Sequence, residues 1–173
     1  MEGFLNKFFI QLDERKIDFF KQKILHTIER ELNVKISVKQ NIVEINSIPG
    51  KTSPTDFLKA VSIVKAISYG FTIEIALKLL NDKFKLEIVD LRSIIKRKED
   101  LKRVKGRIIG ERGKVKKNIE EIARCNIVIS NDTVAIIGEL EKIFQIREAI
   151  EKIIKGSRYK SVYNYLRRTI SYL

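Results

Sequence analysis

The chain has 173 residues, and 44% of them are hydrophobic, so it can bury one medium core or two cores of about 80 residues each. Lysine and arginine outnumber aspartate and glutamate by 35 to 22, and the net charge of +13 favours nucleic acid as a partner, with an anionic membrane surface as the alternative. A single cysteine and a single histidine, Cys125 and His26, exclude an internal disulfide and a Cys/His zinc cluster.

In chain order, the apolar pattern predicts the same succession of strands twice. First strands are predicted at residues 7–12 and 86–91. After each of them, helical spacing is followed by two short β-branched runs around a polar turn, at residues 39–41 and 130–132. This arrangement predicts an antiparallel hairpin in each half of the chain.

Amphipathic helices follow both hairpins. They are predicted at residues 56–68 and 140–154, and each ends near a glycine, Gly70 or Gly156, that can adopt the positive φ of a helix C-cap. A further short helix follows each of these two, at residues 73–80 and 162–170.

A shift of the chain by 91 positions superimposes apolar residues of its two halves. The first three pairs step by four residues, as on a helix, and the next four fall into two short runs that each step by two, as in strands. The pairs are Ile24 and Val115, Ile28 and Ile119, Leu32 and Ala123, Ile36 and Ile127, Val38 and Ile129, Val43 and Val134, and Ile45 and Ile136.

The repeat predicts an α+β chain of two tandem units, residues 1–82 and 83–173. Each unit is expected to be a three-stranded sheet backed by helices, with an extra helix after it. No Pro/Gly/Ser-rich linker separates the halves, so we expect the two units to pack rigidly.

Positive charge is concentrated in the second unit. Residues 81–173 carry 23 basic and 13 acidic side chains, against 12 and 9 in residues 1–80. Residues 96–117 alone hold eleven basic and three acidic side chains, together with three glycines that a plain solvated surface does not require.

Two of those glycines form the segment Gly110-Glu111-Arg112-Gly113, called here the GxxG loop. The equivalent segment of the first copy is Phe19-Phe20-Lys21-Gln22, which lacks both glycines. G-x-x-G alone also suits a structural turn, but here it joins two helices ahead of the strand Ile127-Val128-Ile129, within the basic segment. A P-loop is excluded because Ile108 and Val115 stand where that motif requires glycine and serine or threonine.

The GxxG loop predicts binding to the sugar-phosphate backbone of RNA. Without Cβ atoms its main chain can approach a sugar-phosphate chain, and the following helix directs N–H groups at phosphate. We expect Arg107, Arg112, Lys114 and Lys117 to hold phosphates, whereas Glu111 opposes them. The full set of candidate RNA-binding residues is Arg107, Ile109, Gly110, Glu111, Arg112, Gly113, Lys114, Lys116, Lys117, Ile127 and Ile129.

The strand Ile127-Val128-Ile129 is expected to form the other wall of a groove that accepts a few unstacked bases, and the isoleucines of that set are expected to line or support this groove. Gly110→Asp is expected to weaken RNA binding and leave the fold intact. Four phosphate contacts predict a log-log salt slope of about 3 for a single strand.

Other residues do not suggest catalysis, a metal or a cofactor. His26 has no nucleophile suggested nearby, and Cys125 is expected to pack as a small hydrophobe. Tyr159, Tyr163 and Tyr165 could stack on bases. A helix docking between the two units explains Tyr163, Leu166 and Ile170 equally well and is favoured. Short apolar runs and an N-terminus without a basic n-region predict a soluble cytoplasmic protein with no membrane partner.

These features together resemble the type I K-homology (KH) module. The chain is similar to archaeal two-KH ribosome-assembly proteins, counterparts of the eukaryotic pre-rRNA processing factor called the partner of the Nob nuclease and related to the KRR proteins. The more specific stretches are residues 69–71, 76–80, 86–91, 104–110, 133–138, 156–157 and 161–166.

The resemblance implies binding near the 3′ end of small-subunit rRNA, and association with the Nob endonuclease and the alpha subunit of initiation factor two. The first unit departs from the family pattern because it lacks the GxxG loop. It therefore resembles a degenerate KH-like unit that suits a scaffold or a protein contact. Lys116 replaces an aliphatic groove residue and favours phosphate contact. Rival functions are a translation-associated or exosome-type KH module and an RNA-processing enzyme subunit.

Overall fold

The computed structural model describes residues 6–12, 22–95 and 97–170. The chain divides into two compact units, Met1–Leu80 and Asn81–Leu173, whereas the sequence pattern places the division after residue 82. Within the described ranges, no helix is both long enough and apolar enough to cross a membrane.

The first unit is a three-stranded antiparallel sheet with helices. Its central strand is β3, and β1 and β2 pair on either side of it. Its elements are β1 (Lys7–Gln11), α1 (Gln22–Leu32), β2 (Val34–Lys39), β3 (Ile42–Ser47), α2 (Pro54–Tyr69), α3 (Ile73–Ala76) and a 3-10 turn (Leu77–Leu80). The segment opposite the GxxG loop, residues 19–22, lies outside the described residues except for Gln22.

The second unit repeats this topology. Its central strand is β6, and β4 and β5 pair antiparallel on either side of it. Its elements are β4 (Phe84–Asp90), α4 (Leu91–Ile94), α5 (Lys98–Ile109), a 3-10 turn (Glu111–Gly113), α6 (Lys114–Ala123), β5 (Asn126–Ile129), β6 (Thr133–Glu139), α7 (Ile143–Ile154) and α8 (Tyr159–Ile170). The predicted α+β class, the three-stranded sheets and both hairpins are confirmed.

Helix caps explain where the long helices end. Helix α2 begins after Ser53, whose side chain accepts a hydrogen bond from the Asp56 N–H at 3.0 Å. It ends at Gly70, which has a φ of 111° and donates to two carbonyls of the last turn. Gly156, just beyond α7, has a φ of 97°, so both glycines have the positive φ that their positions predicted.

Each unit contains an equivalent hydrogen bond that the apolar pattern does not reveal. The Glu29 carboxylate accepts the Ile36 N–H at 2.8 Å, and the Glu120 carboxylate accepts the Ile127 N–H at 2.7 Å. Each pair ties the helix before a hairpin to the first hairpin strand. The members of each pair lie 91 positions from their counterparts, so the repeat extends to a polar contact.

The core of the second unit lies between its sheet and its helices. Ile108, Ile119 and Ile136 are fully buried there, and Val162 and Leu166 of α8 belong to the same core. Tyr159, Tyr163 and Tyr165 pack against this core of the second unit, whereas the sequence pattern predicted a helix that docks between the two units. Helix α8 is therefore part of the second unit's own packing.

Candidate nucleic-acid interface

The GxxG loop turns sharply between α5 and α6. Gly110 has a φ of 73° and a ψ of 175°, and its N–H donates to the Gly106 carbonyl at 2.8 Å. Arg112 and Gly113 follow in the left-handed region, with φ values of 50° and 78°. Two consecutive left-handed residues reverse the chain between the helices and place Lys114 at the start of α6.

The two glycines of the loop serve different purposes. A Cβ at Gly110 would lie 2.7 Å from the Val115 Cβ and 2.8 Å from the Val115 backbone N, closer than packed atoms allow. A Cβ at Gly113 would meet no atom of the described part of the chain within 4 Å. Gly110 is therefore required by packing, and the expectation that Gly110→Asp leaves the fold intact is wrong. Gly113 leaves open space where a ligand can approach.

Two exposed cations flank that open space. Arg112 and Lys114 are both exposed, and no carboxylate in the described part of the chain pairs with either of them. Glu111 is also exposed and adds one negative charge beside them. The loop therefore presents a backbone turn with a small excess of positive charge.

Two lysines of α6, Lys116 and Lys117, are already paired with carboxylates of the same helix. The Lys116 ammonium lies 3.1 Å from Glu120, and its side chain is one third exposed. Lys117 is exposed and 4.0 Å from Glu121. Exposed pairs of this kind contribute little to stability, so Lys117 can still turn to an anionic ligand. Lys116 is held more closely, because its partner also accepts the Ile127 N–H.

Arg107 contacts the protein itself. Its Nη2 donates to the Ser157 carbonyl at 2.8 Å, and its guanidinium lies 5.6 Å from the centre of the Tyr159 ring. Its Nε is buried, and no hydrogen-bond partner for it lies among the described residues. These contacts join the end of α5 to the α7–α8 connection, so the Arg107 guanidinium is already engaged within the protein.

The three isoleucines of the candidate set differ in exposure. Ile109, next to Gly110, is 38% exposed and can contact a ligand. Ile129 is partly buried, and Ile127 belongs to the core with only 2% of its surface exposed. Ile127 therefore packs in the core and is not available to contact a ligand.

The remaining sequence candidates lie away from the loop chemistry. Cys125 is buried, and burial raises the pKa of its thiol to about 12. His26 is exposed on α1 and lies 3.4 Å from Glu29. Among the described residues, no group of three or more His, Cys, Asp or Glu side chains could hold a metal ion.

Comparison with known proteins places this geometry in a family. The protein-family model for the eukaryotic type KH domain (KH domain type I) of PNO1 matches residues 85–171 of the sequence. The chain belongs to the PNO1 family of type I KH proteins. The match runs from β4 through α8, so it includes the GxxG loop, the Glu120 contact and the Arg107 contact.

Relatives extend the likeness to most of the chain. A KH domain-containing protein of Methanocaldococcus jannaschii is 36% identical over 149 residues, covering 86% of this chain and 66% of the relative. A pre-rRNA-processing protein, pno1 of Aspergillus oryzae, is 32% identical over 82% of this chain and 55% of its own. The chain thus spans between about half and two thirds of the length of these curated relatives.

A solved structure has the same fold. The aDim2p chain in a complex with a/eIF2alpha and rRNA from Pyrococcus horikoshii superimposes with a TM-score of 0.85 at 35% identity, covering 98% of this chain and 97% of that one. The predicted resemblance to archaeal relatives of the eukaryotic pre-rRNA factor is therefore confirmed.

Sequence reasoning missed the two contacts that hold the loop's surroundings in place. Glu120 was visible in principle, because Glu29 stands at the same position of the 91-residue repeat. The partner of Arg107 is a backbone carbonyl 50 residues away, and no side-chain pattern identifies it.

Proposed function

We propose that this chain binds single-stranded RNA through its GxxG loop, without catalysis, and acts in the maturation of the small-subunit rRNA by binding its 3′ region in the cytoplasm. The observation that carries the proposal is the open space at Gly113 beside two exposed cations, Arg112 and Lys114. Family membership and the rRNA complex of a PNO1-type relative support it.

The loop geometry suggests a division of tasks among the candidate residues. Gly110 sets the turn, and Gly113 admits the sugar-phosphate backbone. Arg112, Lys114 and Lys117 neutralise phosphates, since charge-assisted hydrogen bonds to phosphate are among the stronger polar contacts. Ile109 offers an apolar surface to an unstacked base.

The relatives also suggest protein partners. The Pyrococcus relative was solved together with a/eIF2alpha and rRNA, and we extend this association to the present chain. The family resemblance adds the Nob endonuclease as a partner. A pull-down of each purified protein on this chain, with and without RNA, tests the two associations separately.

The loop is tested by a matched pair of substitutions at Gly113. Asparagine and aspartate both tolerate a positive φ and add nearly the same volume, so Gly113→Asn and Gly113→Asp differ essentially in charge. We expect Gly113→Asp to bind a single-stranded rRNA oligonucleotide at least roughly tenfold more weakly than Gly113→Asn, because a carboxylate then faces phosphate. Equal affinities, with equal thermal melts, would remove the loop from the RNA site.

The RNA target is tested in cells. Crosslinking and sequencing should recover reads that accumulate at the 3′ end of small-subunit rRNA. Reads dominated by mRNA or tRNA would instead assign the chain to translation or to RNA turnover.

A further inference from the structure

A second basic surface lies in the same unit, outside the GxxG loop itself. It is an open groove of about 640 Å³ between the end of α7 and one side of α8, called here the α8 groove. Its lining residues are Lys152, Ser157, Arg158, Lys160, Ser161, Asn164, Tyr165 and Arg168. None of these residues is acidic, and the set combines four cations with hydroxyl and amide groups, which suits an anionic ligand.

The cations of the α8 groove differ in what they already contact. Lys152 pairs with Glu148 at 3.0 Å, and Glu148 also accepts a hydrogen bond from the Tyr165 hydroxyl. Arg158 and Lys160 are exposed, and no carboxylate of the described residues pairs with them. These two side chains therefore carry charge that the fold does not use.

Helix α8 arranges polar groups along one stripe. Arg158, just before α8, and Ser161 and Arg168 within it follow one another at helical spacing, while Val162 and Leu166 of the same helix are fully buried. Ten residues of helix extend about 15 Å, so the stripe offers several successive contacts to an extended chain. A compact anion such as free phosphate would use only a part of it.

The α8 groove begins close to the GxxG loop. Ser157, at its near end, accepts the hydrogen bond from Arg107, and Arg107 lies in the last turn of the helix that leads into Gly110. Arg158 follows Ser157 in the chain, so the cations of the groove begin one residue from the carbonyl that Arg107 contacts. Both surfaces lie in the second unit, so a single strand can contact them together.

We propose that the α8 groove binds a second stretch of phosphodiester backbone of the RNA held by the GxxG loop. This inference rests on the proposed RNA-binding function and assigns a further site to it. The contact is independent of base sequence, because lysine, arginine and hydroxyl groups here recognise phosphates. It lengthens the bound RNA beyond the four nucleotides or so that a KH loop clamps.

The test compares two RNA lengths on charge-reversal variants. The double variant Arg158→Glu/Lys160→Glu alters the α8 groove. The control is Lys35→Glu/Lys39→Glu, at two exposed residues on β2 of the first unit, and it gives the same change in net charge. The probes are a single-stranded RNA of about four nucleotides and the same RNA extended at both ends. We expect the groove variant to bind the extended RNA at least roughly tenfold more weakly than the control variant, and the short RNA equally well.

Each other outcome decides against the proposal. Equal binding of the extended RNA by both variants would assign the groove to another partner, such as an acidic protein. If the groove variant lost the same affinity for the short and the extended RNA, the effect would come from the overall electrostatic potential of the protein and not from a separate contact in the groove. Failure of the unmodified protein to bind either RNA would refute the proposed function itself. The milder Arg158→Gln/Lys160→Gln variant and a thermal melt exclude misfolding as the cause.

Discussion

At the scale of single residues, two glycines of one motif have separate physical roles. Gly110 has a positive φ and no room for a Cβ, whereas Gly113 has a positive φ and open space. The spacing of the glycines is visible in the sequence. Which glycine is enclosed is not visible, because that depends on where the Val115 side chain and backbone lie after folding.

Gly110→Ala should therefore destabilise the protein. The methyl group would displace Val115, including its backbone, and a left-handed φ is unfavourable for alanine. We expect the free energy of unfolding of the second unit to fall by about 1–3 kcal/mol, measured by chemical denaturation.

Gly113→Ala provides the comparison for this loss. This variant should lower the free energy of unfolding by about 1 kcal/mol, from the left-handed φ alone, because its Cβ faces open space. If the two variants were equally stable, the close approach to Val115 would have no energetic consequence, and the steric role of Gly110 would be refuted.

At the scale of elements, one carboxylate in each unit ties a helix to a strand. The sequence predicted both helices and both strands from apolar spacing alone, and the structure confirms them. The spacing did not predict that Glu29 and Glu120 accept strand N–H groups, because an acidic residue on a helix is ordinarily a solvated side chain. The contact depends on the helix and strand meeting at an angle that periodicity does not encode.

Glu120→Ala should leave the Ile127 N–H without its partner. We expect a loss of about 1–3 kcal/mol in the free energy of unfolding, whereas Glu120→Gln keeps an acceptor oxygen and should lose less. The equivalent pair of variants at Glu29 should behave in the same order. If glutamine and alanine were equally destabilising at both positions, the charge and its pairing would matter, and the hydrogen bond would not.

At the scale of the whole molecule, charge rather than fold indicates the partner. The net charge of +13 and the excess of basic residues in the second half are enough by themselves to favour nucleic acid. The sequence also places the GxxG loop within that basic half. It does not reveal that Arg107 faces Ser157, and this contact changes the count of cations available to RNA.

The salt dependence of RNA binding should reflect that count. With Arg112, Lys114 and Lys117 as the phosphate contacts, a short RNA should give a log-log slope of about 2, lower than the value of about 3 that included Arg107. An extended RNA that also reaches Arg158 and Lys160 should give about 3.5. Titrations at several salt concentrations measure both slopes, with Lys35→Glu/Lys39→Glu as the control. A slope that does not change with RNA length would contradict the second contact.

The burial of Cys125 makes the protein suitable for site-directed labelling. It is the single thiol in the sequence, and burial, which raises its pKa to about 12, keeps it from forming the thiolate that maleimides attack. A cysteine introduced at an exposed position such as Lys155 or Lys35 would therefore react selectively with a maleimide, and Cys125 would not need to be replaced. Fluorophores attached at both positions would report distances between the units in solution, free and with RNA bound.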